Sequence, residues 1–431
     1  MKKTLICLAA AALMLGSCAP DRSQVLKVYN WSDYIDESVI PEFEEWYEAQ
    51  TGEKVTVIYQ TFDINETMLS KIEKGHEDYD AVSPSDYIIE RMMHEGLLLP
   101  IDRDFGETPN YIDSTWSPYV RSCFDKVAVD GKTANDYAVG NMWGTTGILY
   151  NAKFVADEDA LTWDIIKNPK YKGHILVKDS ARDVYSQIIL RIKEEDIAAG
   201  RVSADELMNY TSDEDIAAVE AYLAECRDLV AGWEADFGKD QIAQETAWLG
   251  LTWSGDAMWA IQESEGVDLR YALPREGFTV WFDGWVIPKY AKNVKAARYW
   301  INFMCRPDIA ARNMEVSGYV TTNGSPEVLE SVVDDSFDPI DLTYFFGAGY
   351  DSVRVNPILY PDKADIDRAV MEHDWGENTA KLIEMWSRVK GDNANITTYV
   401  IIAVALVAGI AAVVMTNANK KRRHASRRKR R

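Results

Sequence analysis

Histidine and cysteine, the residues that most often bind metals or act as nucleophiles, are scarce in this chain. Five of each occur among 431 residues, and the histidines are scattered without the spacing of a metal-ligand set. The chain has no His-Glu-x-x-His motif, no Gly-x-Ser-x-Gly motif and no dinucleotide-binding glycine fingerprint after a strand. These absences argue against a zinc protease, a serine hydrolase and a dinucleotide-dependent enzyme. They predict a protein without a metal or a cofactor.

A phosphate-binding loop is also missing. Gly131-Lys132-Thr133 has the ending of such a loop, but Lys126 occupies the position five residues earlier, where the motif requires a glycine. We expect a surface turn at this place. The sequence therefore does not predict an ATPase.

Acidic residues are missing from both ends of the sequence. All 69 Asp and Glu lie between residues 21 and 392, and the formal net charge of the whole chain is −23. Eleven of the 46 basic residues lie outside that range, so the body of the chain is more acidic than the whole. A field of this sign attracts small cations and repels nucleic acid. We expect no nucleic-acid partner.

The first 18 residues have the pattern of a bacterial lipoprotein signal peptide. Lys2 and Lys3 precede an apolar run from Leu5 to Leu15, and the small residues that follow end at Cys18. Cys18 is the expected lipidation site. The alternative is an ordinary cleavable signal with a coincidental cysteine.

A second membrane segment is predicted near the other end. Residues 396–415 are twenty uncharged residues, which span about 30 Å as a helix and match a bilayer core. The segment 416–431 is strongly basic, and the positive-inside rule places it in the cytoplasm. A nucleic-acid-binding tail is the competing interpretation. We expect an anchored protein whose body lies on the periplasmic face of the cytoplasmic membrane.

Three cysteines remain in the body: Cys123, Cys226 and Cys305. They allow at most one disulfide, and buried free thiols are the other interpretation. The body is long enough for two lobes of ordinary domain size.

Strands and helices alternate at the start of the body. The patterns predict strands at 25–29, 55–59 and 80–82, and helices at 41–50, 66–74 and 87–95. This alternation predicts a parallel α/β sheet. Ser85 and Asp86 precede the third helix, where a hydroxyl and a carboxylate are typical N-caps. Farther along, the apolar spacing of 294–306 predicts a helix with one buried face.

A tryptophan with a carboxylate two or three residues later recurs in the chain. The three pairs are Trp31/Asp33, Trp253/Asp256 and Trp281/Asp283. Each pair alone is typical of a core tryptophan and a helix-capping aspartate. Together they predict a cation site, because an aromatic face attracts an ammonium by about 0.5 to 2 kcal/mol and a carboxylate adds a charge-assisted hydrogen bond. The combination suits a slender cation with an apolar middle.

Motifs along residues 25–390 resemble those of the periplasmic spermidine- and putrescine-binding proteins of polyamine ABC importers. They are Tyr29-Asn30-Trp31-Ser32-Asp33-Tyr34, Asn65-Glu66-Thr67-Met68, Ser83-Pro84-Ser85, Trp143-Gly144-Thr145-Thr146-Gly147, Ala181-Arg182-Asp183-Val184, Trp253-Ser254-Gly255-Asp256, Trp281-Phe282-Asp283, Asn302-Phe303 and Arg306-Pro307-Asp308. The resemblance implies an α/β, two-lobed periplasmic-binding-protein fold of type II with its ligand in the cleft between the lobes. It implies no enzyme activity. The implied function is capture of putrescine or spermidine and delivery to an ABC permease and ATPase, which are separate chains.

The resemblance also implies which residues contact the ligand. They are Trp31, Ser32, Asp33, Tyr34, Ser85, Tyr87, Asp183, Trp253, Asp256, Trp281, Asp283 and Tyr319. Ser180 departs from the spermidine binders, which carry an acid there, and this affects one contact to a terminal amine. Asp33 and Asp256 resemble the putrescine-binding members. Glu372 and His373 are the nearest candidates for a glutamine that some members contribute.

The expected organisation places lobe 1 in residues 25–140 and 280–325 and lobe 2 in residues 141–279. A helical segment, 326–392, is expected to pack on the lobes before the membrane helix.

Two alternative functions stay open. One is a secreted glycosidase with paired aspartates, since tryptophans stack on sugars, although no series of eight βα repeats is visible. The other is a membrane-anchored polyamine sensor.

Overall fold

The computed structural model describes residues 21–234 and 237–391. The predicted lipidation site Cys18 and the predicted membrane span 396–415 lie outside the described residues. The strands are β1 Val25–Trp31, β2 Thr56–Phe62, β3 Ala81–Val82, β4 Leu98–Leu99, β5 Ala128–Val129, β6 Lys132–Thr133, β7 Ala138–Asn151, β8 Ile175–Lys178, β9 Val230–Glu234, β10 Leu249–Trp253, β11 Leu269–Ala272, β12 Phe278–Pro288, β13 Val320–Thr321, β14 Pro339–Ile340, β15 Val353–Arg354 and β16 Ala369–Met371.

The α-helices alternate with these strands along much of the described chain. They are α1 Val39–Thr51, α2 Asn65–Glu73, α3 Asp86–His94, α4 Tyr111–Thr115, α5 Pro118–Lys126, α6 Ala134–Tyr137, α7 Ala181–Ile192, α8 Glu194–Ala198, α9 Ala204–Asn209, α10 Asp213–Cys226, α11 Gly238–Ala243, α12 Ser254–Glu263, α13 Val294–Met304, α14 Pro307–Ser317, α15 Pro326–Glu330, α16 Thr343–Phe346, α17 Lys363–Ile366 and α18 Asn378–Lys390.

One mixed sheet has the strand order β2-β1-β3-β12-β7-β10-β8-β9. At one end β1 pairs in parallel with β2 and β3, and at the other end β8 is parallel to β9 and β10. The parallel sheet predicted from the first three strands is therefore confirmed. In the middle, β7 and β12 pair antiparallel with each other and with their outer neighbours β10 and β3, an arrangement that the sequence did not predict.

The predicted amphipathic helices form as expected. In α1 the buried residues Val39, Phe43 and Tyr47 recur every four positions, so they share one face. The helix ends at Gly52, whose φ of +72° is the left-handed conformation that glycine adopts without strain. In α13 the fully buried Trp300 packs edge-on against Trp285 of β12 at a centroid distance of 6.0 Å. Each such burial contributes about 1.5 to 3 kcal/mol.

The cysteines of the body are free. Cys123 and Cys226 are buried and Cys305 is partly buried. Burial raises the pKa of each thiol to about 12, so all three stay protonated and unreactive at neutral pH. Of the two interpretations left open by the sequence, buried free thiols are correct. Among the helices of residues 21–234 and 237–391, none is long and apolar enough to cross a membrane.

Candidate functional site

The first strand ends in a group of aromatic side chains. Trp31 is the last residue of β1, and its ring centroid lies 4.5 Å from that of Phe62 and 6.5 Å from that of Tyr34. The chain then turns at Asp33, whose φ of +53° is a left-handed conformation that aspartate tolerates better than most residues. The turn leaves Tyr34 buried and Ser32 and Asp33 exposed.

Ser32 and Asp33 thus stand apart from the other candidate residues. The Ser32 hydroxyl donates a hydrogen bond to Asp63 at 2.9 Å. A role for either residue in ligand binding stays a prediction.

Asp283 is a fully enclosed carboxylate held by two hydroxyl groups. The Tyr34 hydroxyl donates to one oxygen at 2.5 Å and the Ser85 hydroxyl to the other at 2.7 Å. Burial raises the pKa of Asp283 to about 6, against the lowering effect of those two hydrogen bonds. Asp283 lies on β12, where the pairing register with β7 shifts immediately afterwards, and such irregularities often redirect side chains at functional sites.

The N-terminus of α3 supplies the second hydroxyl. Ser85 is the N-cap residue by position, but its side chain makes no cap hydrogen bond and reaches Asp283 instead. Asn65 holds this end in place by donating to the Ser85 hydroxyl at 3.0 Å and to the Tyr87 hydroxyl at 3.1 Å. The capping expected of Ser85 is therefore wrong, because a buried carboxylate across the sheet competes for its hydroxyl. Asp86 accepts a backbone hydrogen bond at 2.7 Å from Tyr87.

Asp183 and Trp253 form a hydrogen-bonded pair. The Trp253 indole nitrogen donates to the Asp183 carboxylate at 2.9 Å. Asp183 lies in the first turn of α7, and its backbone N–H donates to the side chain of Ser180, the N-cap residue, at 3.2 Å. The serine that departs from the spermidine-binding pattern is therefore a helix cap in this chain.

Asp256 is surrounded by donors from its own chain. Lys239 Nζ lies 2.9 Å from one carboxylate oxygen, which also accepts the Tyr319 hydroxyl at 3.2 Å. Lys178 Nζ lies 3.2 Å from the other oxygen and 4.1 Å from the centroid of the Trp253 ring. Burial alone raises the pKa of Asp256, but the two lysine charges and their hydrogen bonds outweigh it and hold the pKa below its ordinary value.

The sequence did not identify either lysine. Lys178 carried one usable signal, because it is a charge at the carboxyl end of the apolar strand Ile175–Lys178, and ligand sites of α/β sheets lie at such strand ends. Lys239 lies on the short helix α11 and gave no signal.

The rings of Tyr34 and Tyr319 pack together and connect Asp283 with Asp256, because each hydroxyl donates to one of these carboxylates. The Tyr319 ring centroid lies 5.2 Å from that of Tyr34 and 5.6 Å from that of Trp281. Glycines permit this packing. A Cβ on Gly144 would lie 2.5 Å from the Trp281 ring, and a Cβ on Gly255 would overlap the Tyr319 ring.

Glu372 and Arg182 extend the site toward β16. Glu372 is buried, and one of its carboxylate oxygens has no hydrogen-bond partner among the described residues. Burial first, and the nearby Asp183 second, raise the pKa of Glu372 to about 8. The Arg182 guanidinium stacks between the rings of Tyr87 and Trp375 at 3.8 and 4.0 Å. His373, the other candidate, pairs with Glu90 at 3.0 Å.

Hydrogen bonds and ring contacts therefore connect ten of the twelve candidates into one region, and Ser32 and Asp33 are exposed beside it. The region combines aromatic rings with buried carboxylates, which are groups that bind cations. No cluster of His, Cys, Asp or Glu in the described chain could hold a metal ion.

The sequence and the fold have recognisable relatives. Residues 42–335 match the family described as bacterial extracellular solute-binding protein. The spermidine/putrescine-binding periplasmic protein of Escherichia coli K12 is 29% identical over 392 residues, which cover 89% of this chain and 97% of that protein. The putrescine-binding periplasmic protein PotF of the same organism is 28% identical over 377 residues, covering 84% and 90%.

A solved structure agrees with these matches. The spermidine/putrescine ABC transporter substrate-binding protein PotD of Streptococcus pneumoniae has a TM-score of 0.63 and 28% identity, covering 85% of this chain and 98% of that one. The predicted two-lobed α/β fold of periplasmic binding proteins is confirmed. Because the family match spans more than half of the sequence, the chain belongs to the bacterial extracellular solute-binding proteins.

Proposed function

We propose that this protein captures a linear polyamine between its two lobes and delivers it to an ABC permease. The observation that carries the proposal is Asp283, a buried carboxylate that only hydroxyl groups contact among the described residues. Removing a carboxylate from water costs several kcal/mol unless a counter-charge compensates. A ligand ammonium group would supply that charge. The relatives named above as spermidine- or putrescine-binding proteins support the same choice.

Aromatic rings next to Asp283 suit the alkyl part of such a ligand. Trp281 lies two residues before Asp283 on β12, so both side chains point to the same face. The rings of Tyr34 and Tyr319 lie on the path from Asp283 to the second lobe. An ammonium over a ring face gains about 0.5 to 2 kcal/mol, and the methylene groups between two ammonium groups are shielded from water.

Membership of a solute-binding family excludes the glycosidase alternative. The sensor alternative has no supporting observation.

We propose the lobe boundaries that the sequence predicts. Lobe 1 consists of residues 25–140 and 280–325, lobe 2 consists of residues 141–279, and the segment 326–392 packs on both lobes.

Isothermal titration calorimetry on the full chain in detergent tests the proposed function. Putrescine or spermidine should bind with a Kd in the micromolar range or tighter, and sucrose should give no heat. Binding of sucrose without binding of either polyamine would contradict the proposal.

We also propose that Cys18 and residues 396–415 anchor the protein to the membrane. The support is the lipoprotein signal pattern and the uncharged run followed by basic residues. Cell fractionation of three variants tests both anchors: Cys18→Ala, a chain ending at residue 391, and the combination. Each single change should leave protein in the membrane fraction, and the combination should release it. Retention of the combined variant in the membrane fraction would refute the anchoring scheme.

A further inference from the structure

Asp256, which the sequence pattern assigns to the ligand, already has two ammonium partners within the chain. Lys178 and Lys239 contact opposite oxygens of its carboxylate at 3.2 and 2.9 Å, and Tyr319 donates to the second oxygen as well. Lys178 also lies over the Trp253 ring. It thus makes the two contacts, with a carboxylate and with an aromatic face, that a ligand ammonium would make.

A lysine ammonium contacts each oxygen of the Asp256 carboxylate. Glu234 lies 3.6 Å from Lys178 through one carboxylate oxygen, and its other oxygen accepts the backbone N–H of Gly238 at 2.8 Å. Among the described residues, the cluster around Asp256 therefore contains two lysines and two carboxylates. A third ammonium group entering this cluster would meet the two like charges that already contact Asp256.

The Lys178 side chain is buried and is held in place next to Asp256. Its side chain is 2% exposed, and it stands at the end of the paired strand β8. A buried lysine that leaves its carboxylate loses charge compensation in a medium of low dielectric. Displacement of Lys178 by a ligand is therefore unfavourable. Lys239, with 26% of its side chain exposed, is held less tightly.

The end of the site that contains Asp283 differs from the Asp256 end in its ion pairs. No salt bridge among the described residues neutralises Asp283 or Asp183, and one Glu372 oxygen is buried without a partner among them. The Arg182 charge lowers the pKa of Glu372, but its guanidinium donates to the backbone oxygen of His373 at 2.7 Å. In the described chain, the carboxylates at this end have no lysine or arginine in a salt bridge, whereas Asp256 has two lysines.

We propose that Lys178 and Lys239 are resident cations that close the Asp256 end of the cleft to ligand ammonium groups and so select diamines over triamines. A diamine places its charges at the end that contains Asp283, Asp183 and Glu372. The third ammonium of a triamine has to extend past Tyr34 and Tyr319 toward the two lysines on Asp256. This inference rests on the proposed function and specifies its substrate.

Calorimetry with putrescine and spermidine on the full chain in detergent tests the inference. The wild type should bind putrescine more tightly. Lys178→Met keeps the length of the side chain and makes the cluster more negative by one charge, so the ratio of spermidine to putrescine affinity should rise about tenfold. Lys239→Met should raise the ratio in the same direction. This second variant also covers the case that Lys178→Met does not fold, because Lys239 is partly exposed.

Two controls isolate the charge of the cluster. Lys178→Met combined with Asp256→Asn leaves the formal charge of the cluster as it is in the wild type, so its ratio should return to the wild-type value. Lys153→Met removes a lysine that is 60% exposed and paired with Glu245 in the same lobe, and it should not alter the ratio. If the wild type binds putrescine and both cluster variants keep the wild-type ratio, the inference is wrong and the proposed function stands. If the wild type binds neither polyamine, the proposed function itself is wrong.

Discussion

Replacing Asp283 with asparagine should separate ligand affinity from folding stability. Burial raises the pKa of this carboxyl from 3.8 to about 6. At about 1.4 kcal/mol per pKa unit, keeping it ionised at pH 7 costs the ligand-free protein on the order of 3 kcal/mol. Asp283→Asn removes that cost. Its two partners, Tyr34 and Ser85, are hydroxyl groups that can rotate to accept a hydrogen bond from the new amide.

The same change removes the only charge that Asp283 offers to a ligand. Losing one member of a buried charge pair costs about 2 to 5 kcal/mol of binding free energy, which is about 30-fold or more in Kd. Calorimetry with putrescine measures the affinity, and urea denaturation followed by circular dichroism measures the stability at pH 7. We expect the affinity to fall by at least that factor and the stability to be unchanged or higher.

Asp351→Asn is the matched control, because Asp351 is an exposed aspartate outside the site. It should change neither quantity. Equal losses of binding and stability in Asp283→Asn would mean that the carboxylate is structural. An affinity within about threefold of the wild type would mean that the ligand does not use it.

Three further predictions follow from the same region. Putrescine affinity should fall about fivefold between pH 6 and pH 5 as Asp283 is protonated, and this decrease should be absent in Asp283→Asn. The ligand-free wild type should gain stability relative to Asp283→Asn as the pH falls from 6 to 4, since a raised pKa favours the protonated folded state. Glu372, with its pKa raised to about 8, should make the wild type lose stability between pH 7 and 9 in urea titrations, and Glu372→Gln should lose less. Gly144→Ala should displace Trp281, lower the free energy of unfolding by about 1 to 3 kcal/mol in thermal denaturation and weaken putrescine binding. An unchanged putrescine affinity would mean that the ligand does not contact Trp281.

Local patterns in the sequence predicted local structure well. The four-residue spacing of Val39, Phe43 and Tyr47 and the glycine at position 52 determine α1 almost without reference to the rest of the chain. The antiparallel pairing of β7 with β12 was missed, because it joins segments that are more than 130 residues apart and have no short turn between them.

The three Trp/Asp pairs show where sequence reasoning ends. They look alike as motifs, yet Asp33 is exposed, Asp256 is buried with two lysines on its carboxylate, and Asp283 is buried without a salt bridge to a described residue. The differences come from distant partners. Tyr34 reaches Asp283 across 249 positions, and Lys178 reaches Asp256 across 78. Such partners are brought together only by the tertiary structure, so the spacing of residues within a motif does not predict them.

A crystal structure of the protein with putrescine tests the central claim most directly. We expect one ammonium nitrogen within about 3 Å of an Asp283 carboxylate oxygen, with the butyl chain against Trp281 and Lys178 still on Asp256. Putrescine bound elsewhere, with Asp283 contacted only by Tyr34 and Ser85, would contradict the account.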